Sequence, residues 1–245
     1  MKVQLVSFFD ESPRVRRFRF RYQLDPEAFD QALVAYRQYT GLTATDPVYR
    51  PGQYVSLLAE GVFEHARSYS ICQWLPGLEF ELCIVLNQEG AFTRWLFEQK
   101  PGAVLECTPP LGRFVLEDDS LDTRLLFIAT GTGLAPLIPM VEEALKRGHQ
   151  QVHLYAGHRY AEDELFQKEL QNLQAEFPQL EYVATGSREP IRGQQGYVHA
   201  LYEQHLKPQP IRFYACGWKA MLNECRDRLK QAGFTRRDYR IEAYD

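Results

Sequence analysis

Three short stretches carry residue types and spacings suited to holding a flat, phosphorylated ligand. Gly131-Thr132-Gly133-Leu134-Ala135-Pro136 follows the apolar run Leu125 to Ala129 and opens a segment of helical spacing. Glycines there let the backbone approach a diphosphate, and the first helical turn offers unpaired N–H groups and the positive end of a dipole. The spacing is G-x-G-x-x-P and no lysine follows, which argues against a nucleoside-triphosphate P-loop. By itself the stretch also fits a tight turn with no ligand. In Arg67-Ser68-Tyr69-Ser70, an arginine two residues before a tyrosine on a strand puts both side chains on one face. The guanidinium can grip a phosphate bidentately. The Tyr69 ring can stack on a flat ring, and Ser70, pointing the other way, can bond a ring edge. A surface arginine beside a core tyrosine would look the same. Gly90-Ala91-Phe92-Thr93-Arg94-Trp95-Leu96 is a glycine turn into a helix with a hydroxyl at its start. The same helix-terminus physics makes it a second anion site, and it reads equally as a capped connecting helix.

The elements that must position these stretches fall into two halves. Up to about Asp118 the period is two. Val3 and Leu5 alternate with Lys2 and Gln4, and in residues 16–22 Phe18, Phe20 and Tyr22 face a core while Arg17, Arg19 and Arg21 face water. Further strands are expected over 54–58, 69–73, 79–86, 104–108 and 114–116, with turns at Pro51-Gly52 and Pro101-Gly102. Such a set of short strands predicts a small antiparallel barrel or sandwich. Asp25-Pro26-Glu27 reads as an N-cap followed by proline at the first helical position, and Phe29, Leu33 and Tyr36 continue at helical spacing, so a helix over about 25–41 interrupts the strands. From Leu121 strands alternate with helices: strands at 124–129, 152–156, 180–184, 211–216 and 239–243, helices at 134–146, 163–175, 198–204 and 219–232. That alternation predicts βαβ units and a doubly wound parallel sheet with helices on both faces.

Composition narrows the classes. The 245 residues are 45% apolar and 24% charged, an ordinary globular chain. The net charge of −4 argues against a general nucleic-acid binder. No apolar run approaches the ~20 residues needed to cross a bilayer, and the start Met1-Lys2-Val3-Gln4-Leu5 has no signal-peptide character. Five cysteines with no C-x-x-C pair argue against a disulfide framework, a zinc knuckle, an iron–sulfur cluster or any other metal site, and fit a reducing cytoplasmic setting.

Taken in order, the motifs resemble the ferredoxin–NADP reductase superfamily of flavoproteins. Arg67-Ser68-Tyr69-Ser70 is similar to its R-x-Y-[ST] strand, and Arg50-Pro51-Gly52-Gln53-Tyr54-Val55 to its P-G-Q-Y strand start. Gly90 to Leu96 is similar to its G-x-x-[ST]-x-x-L segment. Pro110-Leu111-Gly112-Arg113-Phe114 is similar to its domain border, with Pro109 where glycine is usual. Gly131 to Pro136 is similar to its G-T-G-[IL]-A-P loop, Phe213 to Gly217 to its strand ending in Cys-Gly, and Tyr239 to Tyr244 to its terminal strand. The resemblance runs over nearly the whole chain. It implies an antiparallel β-barrel FAD-binding domain at 1–118 and a nicotinamide-nucleotide-binding α/β domain at 119–245.

The resemblance implies hydride transfer between NAD(P)H and bound FAD, chemistry that belongs to the cofactor while the protein positions it. Arg67, helped by Thr93 and with Ser68, Gly90, Ala91 and Phe92 around it, would meet the FAD pyrophosphate. Tyr69 would pack on the isoalloxazine, and Ser70 would bond near N5. Thr130, Gly131, Thr132 and Gly133 would hold the nucleotide diphosphate. Cys216 and Gly217 would lie near the reacting nicotinamide, Glu242 would relay a proton or position a group, and Tyr244 would cover the flavin. Asp245 follows that tyrosine, whereas many relatives end on the aromatic.

Ser187-Arg188, with Arg159 assisting, is similar to the pair that meets a 2′-phosphate, which favours NADP over NAD. No plant-type cysteine run is present, so electrons pass to a separate partner: ferredoxin, flavodoxin, an oxygenase component or a small molecule. The basic cluster Arg14, Arg16, Arg17, Arg19 and Arg21 suits docking an acidic carrier, or keeping an edge from aggregating. A reductase of free flavin and a non-catalytic flavin-binding subunit are the competing classes.

Overall fold

The computed structural model describes residues 1–40, 48–207 and 209–244. It divides into two compact units, Met1–Asp10 with Arg14–Val115, and Glu11–Pro13 with Leu116–Asp245.

The first unit contains β1 (Lys2–Ser12), β2 (Val15–Tyr22), α1 (Pro26–Thr40), β3 (Tyr54–Leu58), β4 (Arg67–Leu75), β5 (Glu79–Val85), α2 (Ala91–Glu98) and β6 (Val104–Cys107). The strands close into a barrel in the order β1-β2-β5-β4-β3-β6. Period-two alternation sends Val3, Leu5, Phe18, Phe20, Val55, Leu57, Phe80 and Leu82 into one core. Its aromatic rings pair at close range, Phe20 on Phe80 at 5.8 Å and Tyr22 on Phe29 at 4.7 Å. The expected helical insertion is α1. The Asp25 carboxylate accepts the Ala28 N–H at 2.9 Å, capping the helix, and Phe29 and Leu33 are buried in the barrel core. Gly41, where the sequence reading ends this helix, lies outside the described residues.

Two expectations are corrected. Residues 114–116 form no strand; Leu111 instead bridges Tyr54. Arg17 does not face water. It is 4% exposed and donates to Glu81 at 2.6 and 3.0 Å and to Gln73 at 3.2 Å. Arg19 and Arg21 both donate to buried Glu79, at 2.5 and 2.6 Å, and Arg16 to Asp10 at 2.7 Å. Burial raises the Glu79 carboxyl, but the bonds from Arg21 and Arg19 outweigh it and hold the group below its ordinary value. The carboxylates of β5 lie beside the arginines of β2 across the ladder. One strand's alternation cannot reveal a partner that arrives from another strand. A free basic docking patch is therefore not what β2 presents.

The second unit contains β7 (Arg124–Thr130), α3 (Leu134–Lys146), β8 (Val152–His158), α4 (Gln167–Glu176), β9 (Leu180–Gly186), α5 (His199–Tyr202), β10 (Ile211–Gly217), α6 (Lys219–Gln231) and β11 (Tyr239–Ala243). Its sheet runs β11-β10-β7-β8-β9, all parallel. Leu126, Ile128, Phe213 and Ala215 form one apolar face with Met221, Leu222, Cys225 and Leu229 of α6. Phe127 and Tyr214, which alternate with them, stack at 5.1 Å on the opposite face. The helix expected over 163–175 begins later, at Gln167, after a short turn at Ala161–Asp163. Among the described residues no helix is long and apolar enough to cross a membrane, and no group of three His, Cys, Asp or Glu side chains could hold a metal.

Candidate functional site

Each unit presents its own cluster of the residues singled out by sequence. In the barrel, Arg67, Ser68, Tyr69 and Ser70 open β4, in register with Leu57, Ser56, Val55 and Tyr54 of β3. Arg67 is exposed and donates to the neighbouring Ala66 carbonyl at 3.2 Å. Ser68 is exposed and its hydroxyl meets that of Ser56 at 3.0 Å. Tyr69 is half-buried, stacked 6.1 Å from Phe92, and burial pushes its phenol well above the ordinary value. Ser70 is buried. The strand start before this site is fixed by Gln53: its side chain accepts the Arg50 N–H at 2.8 Å and donates to the Gly112 carbonyl at 3.4 Å. Gly112, at φ +107, sits where a Cβ would come within 3.1 Å of the Tyr54 ring.

The α2 stretch is held together by its own loop. The Thr93 hydroxyl accepts the Asn87 N–H at 3.2 Å and lies 3.1 Å from the Asn87 and Gly90 carbonyls, so it closes its own loop. Phe92 is core, 4% exposed. What this turn offers an anion is backbone: Gly90 is the N-cap, the first turn has no acidic residue, and the first helical bond is the Arg94 N–H to the Gly90 carbonyl. That leaves the N–H groups of Ala91, Phe92 and Thr93 outside the helical ladder.

In the sheet, Thr130 to Gly133 form the turn from β7 into α3, with Gly131 at φ +52. Two glycines bring the ends of β7 and β10 together. A Cβ on Gly133 would lie 2.2 Å from the Cys216 carbonyl oxygen, and one on Gly217, at φ +138, 2.3 Å from the Thr130 hydroxyl. The Thr130 hydroxyl accepts the Trp218 N–H at 3.0 Å. Cys216 is fully buried in register with Glu242 of β11. Burial, reinforced by the Glu242 charge, pushes its thiol far up, so it is a neutral, soft side chain. Tyr244 donates from its hydroxyl to the Thr132 carbonyl at 3.3 Å and from its N–H to the Gly217 carbonyl at 3.4 Å, which seats it against the turn. Asp245 lies outside the described residues.

Arg159, Ser187 and Arg188 stand where β8 and β9 end, on the same carboxyl edge, and both arginines are exposed without a carboxylate partner among the described residues. The Ser187 and Arg188 N–H groups bond the His158 and Arg159 carbonyls at 2.9 and 3.0 Å, which ties these loops together. Sequence reasoning passed over Trp218, 66% exposed, with the Arg159 guanidinium 5.6 Å from its ring centre. Its signal was an indole directly after Cys-Gly.

These residues gather at the carboxyl ends of parallel strands, where the strand order reverses at β7, the place at which open α/β sheets bind ligands. The oxidoreductase NAD-binding domain model matches residues 127–227. Ferredoxin–NADP reductase B of Sorangium cellulosum is 32% identical over 215 residues, covering 81% of this chain and 86% of that protein. The chain belongs to the ferredoxin–NADP reductase family. A further member-like relative is the CDP-6-deoxy-L-threo-D-glycero-4-hexulose-3-dehydrase reductase of Yersinia pestis, 29% identical over 98% of this chain and 73% of that one. The ferredoxin NADP+ reductase of Neisseria gonorrhoeae, solved with bound FAD and NADP, shares the fold at TM-score 0.78 and 19% identity, over 99% of this chain and 98% of that one. Relatives named as reductases make this family member an oxidoreductase enzyme.

Proposed function

We propose that this reductase holds FAD on residues 1–118 and a nicotinamide nucleotide, NADPH in preference to NADH, on residues 119–245. Hydride passes between the two, and electrons pass to or from a separate carrier such as ferredoxin, flavodoxin or an oxygenase component. The observation that carries the reading is the turn at Gly131–Gly133, where Gly133, with Gly217 of β10, lets strand ends approach that any Cβ would force apart, followed by a thirteen-residue helix with no acid in its first turn. FAD, when bound, supplies the redox chemistry. The residues do the holding. Arg67 pairs with the flavin pyrophosphate, beside the free N–H groups of α2, and Tyr69 offers a ring face while Phe92 backs it. Cys216 stays uncharged and small beside the reacting centre, and Glu242 supplies a carboxylate one strand away. Ser187 and exposed Arg188 suit a 2′-phosphate. Five buried, unbridged cysteines suit a reducing cytoplasm.

The test is the purified chain itself. Flavin absorbance that survives gel filtration, and bleaches under anaerobic titration with NADPH at lower concentration than with NADH, is the expected result. A colourless protein that oxidises NADPH only when flavin is added would replace bound FAD with free flavin as substrate. No bleaching and no oxidation would end both readings.

A further inference from the structure

Trp218 presents two thirds of its surface to solvent beside the Gly131–Gly133 turn, and the geometry around it is asymmetric. It follows β10, whereas Arg159 follows β8, and β7 lies between those strands. For the Arg159 guanidinium to sit 5.6 Å from the Trp218 ring centre, the pair must span the end of β7, where the Gly131–Gly133 turn starts. Trp218 is itself pinned to that turn through its N–H bond to the Thr130 hydroxyl.

The turn feeds the N-terminus of α3, and Trp218 is the N-cap of α6; neither helix has an acidic residue in its first turn. The first residue of α6 is Lys219, a cation at the positive end of a helix dipole, where an anion would be the stabilising neighbour. Arg159 adds a second cation and, among the described residues, has no carboxylate to neutralise it.

We propose that Trp218 is a positioning residue that keeps Arg159 poised over the turn, and that the guanidinium, its face still on the indole, turns its N–H edge to the diphosphate of the nicotinamide coenzyme. This rests on the nucleotide reading above and sharpens it: Arg159 reads the diphosphate shared by both coenzymes, and Ser187 and Arg188 read the 2′-phosphate. A guanidinium stacked on a ring face keeps its in-plane N–H groups free for a charge-assisted, bidentate pair with phosphate, and the contact reduces the freedom lost when that pair forms.

Two fragments separate the possibilities: ADP-ribose carries the diphosphate without a 2′-phosphate, and 2′-AMP the reverse. With the intact chain, Arg159→Ala weakens ADP-ribose about tenfold and leaves 2′-AMP within about twofold. Trp218→Ala weakens ADP-ribose about three- to fivefold with an unchanged melting temperature, and Trp218→Phe, which keeps an aromatic face, restores most of it. ADP-ribose binding that ignores both alanine variants, or an Arg159→Ala defect confined to 2′-AMP, overturns the proposal. If the unaltered chain binds neither fragment nor NADPH, the nucleotide reading itself is what has failed.

Discussion

Two groups of arginines on this molecule share a charge and differ in everything else. Those of β2 are matched: Arg16, Arg17, Arg19 and Arg21 each hold a carboxylate, and Arg17 does so in a buried position. Those at the carboxyl edge of the sheet, Arg159 and Arg188, are exposed and have no carboxylate partner among the described residues. A matched, buried arginine acts on the fold. An unmatched, exposed arginine keeps its charge open to an anion from outside the chain.

The largest effect that can break this contrast is at Arg17. Arg17→Ala strands Glu81 without its guanidinium in a nearly dry position and is expected to cost about 3–5 kcal/mol of stability, read as a shift of the denaturation midpoint. A wild-type midpoint would place Arg17 with the surface arginines. Next comes Gly133→Ala, which needs the ends of β7 and β10 to move apart. About 1–3 kcal/mol is expected, together with loss of NADPH binding measured by titration. Retained binding would mean that the close approach of the two strands is not what forms the cradle.

The histidines of the second unit give a pH dependence. Burial pushes His158 down to about 4, and burial with nearby His153 and Arg124 pushes His205 to about 4. Both stay neutral in the folded protein while the unfolded chain protonates near the ordinary 6.5, so stability falls as pH drops from there towards 4. Asp163 acts against the burial of His158 without offsetting it, so His158→Phe should flatten its share of the slope in a calorimetric pH series. An unchanged slope would assign the whole effect elsewhere.

The smallest effects on stability belong to the unmatched arginines, and there binding carries the signal. Arg67→Ala and Arg188→Ala are each expected to stay within about 0.5 kcal/mol of the parent. Arg67→Ala should lower FAD retention through gel filtration. Arg188→Ala should raise KM for NADPH and leave that for NADH alone; equal changes for both coenzymes would remove its 2′-phosphate role.

The sequence was most legible where a signal is local. The Asp25-Pro26 cap starts α1, Leu134–Lys146 is helical as its spacing says, and Tyr239–Ala243 is a strand. It was least legible where a partner comes from elsewhere in the chain. Arg17 looks solvent-facing until β5 arrives with Glu81, and Phe114 looks like a strand residue although Leu111 makes the bridge. The same holds for the sites. Arg67 and Gly131–Gly133 could be singled out by type and order. That the Thr93 hydroxyl turns back on Asn87, or that Trp218 lies under Arg159, depends on distances that no spacing encodes.

The strand order also bears on how the second unit is made. β7 is its central strand, yet one of its two neighbours, β10, is synthesised only after β8, α4, β9 and α5. Until then one edge of β7, with its run of Leu, Phe and Ile, has no mate, and closing that pairing means closing a long loop. Parallel pairing across such a separation makes assembly slow and leaves an apolar edge open to self-association meanwhile. The pairing of β10 with β7, where the strand order reverses, is thus also the step at which this unit is most exposed to chaperones and to aggregation.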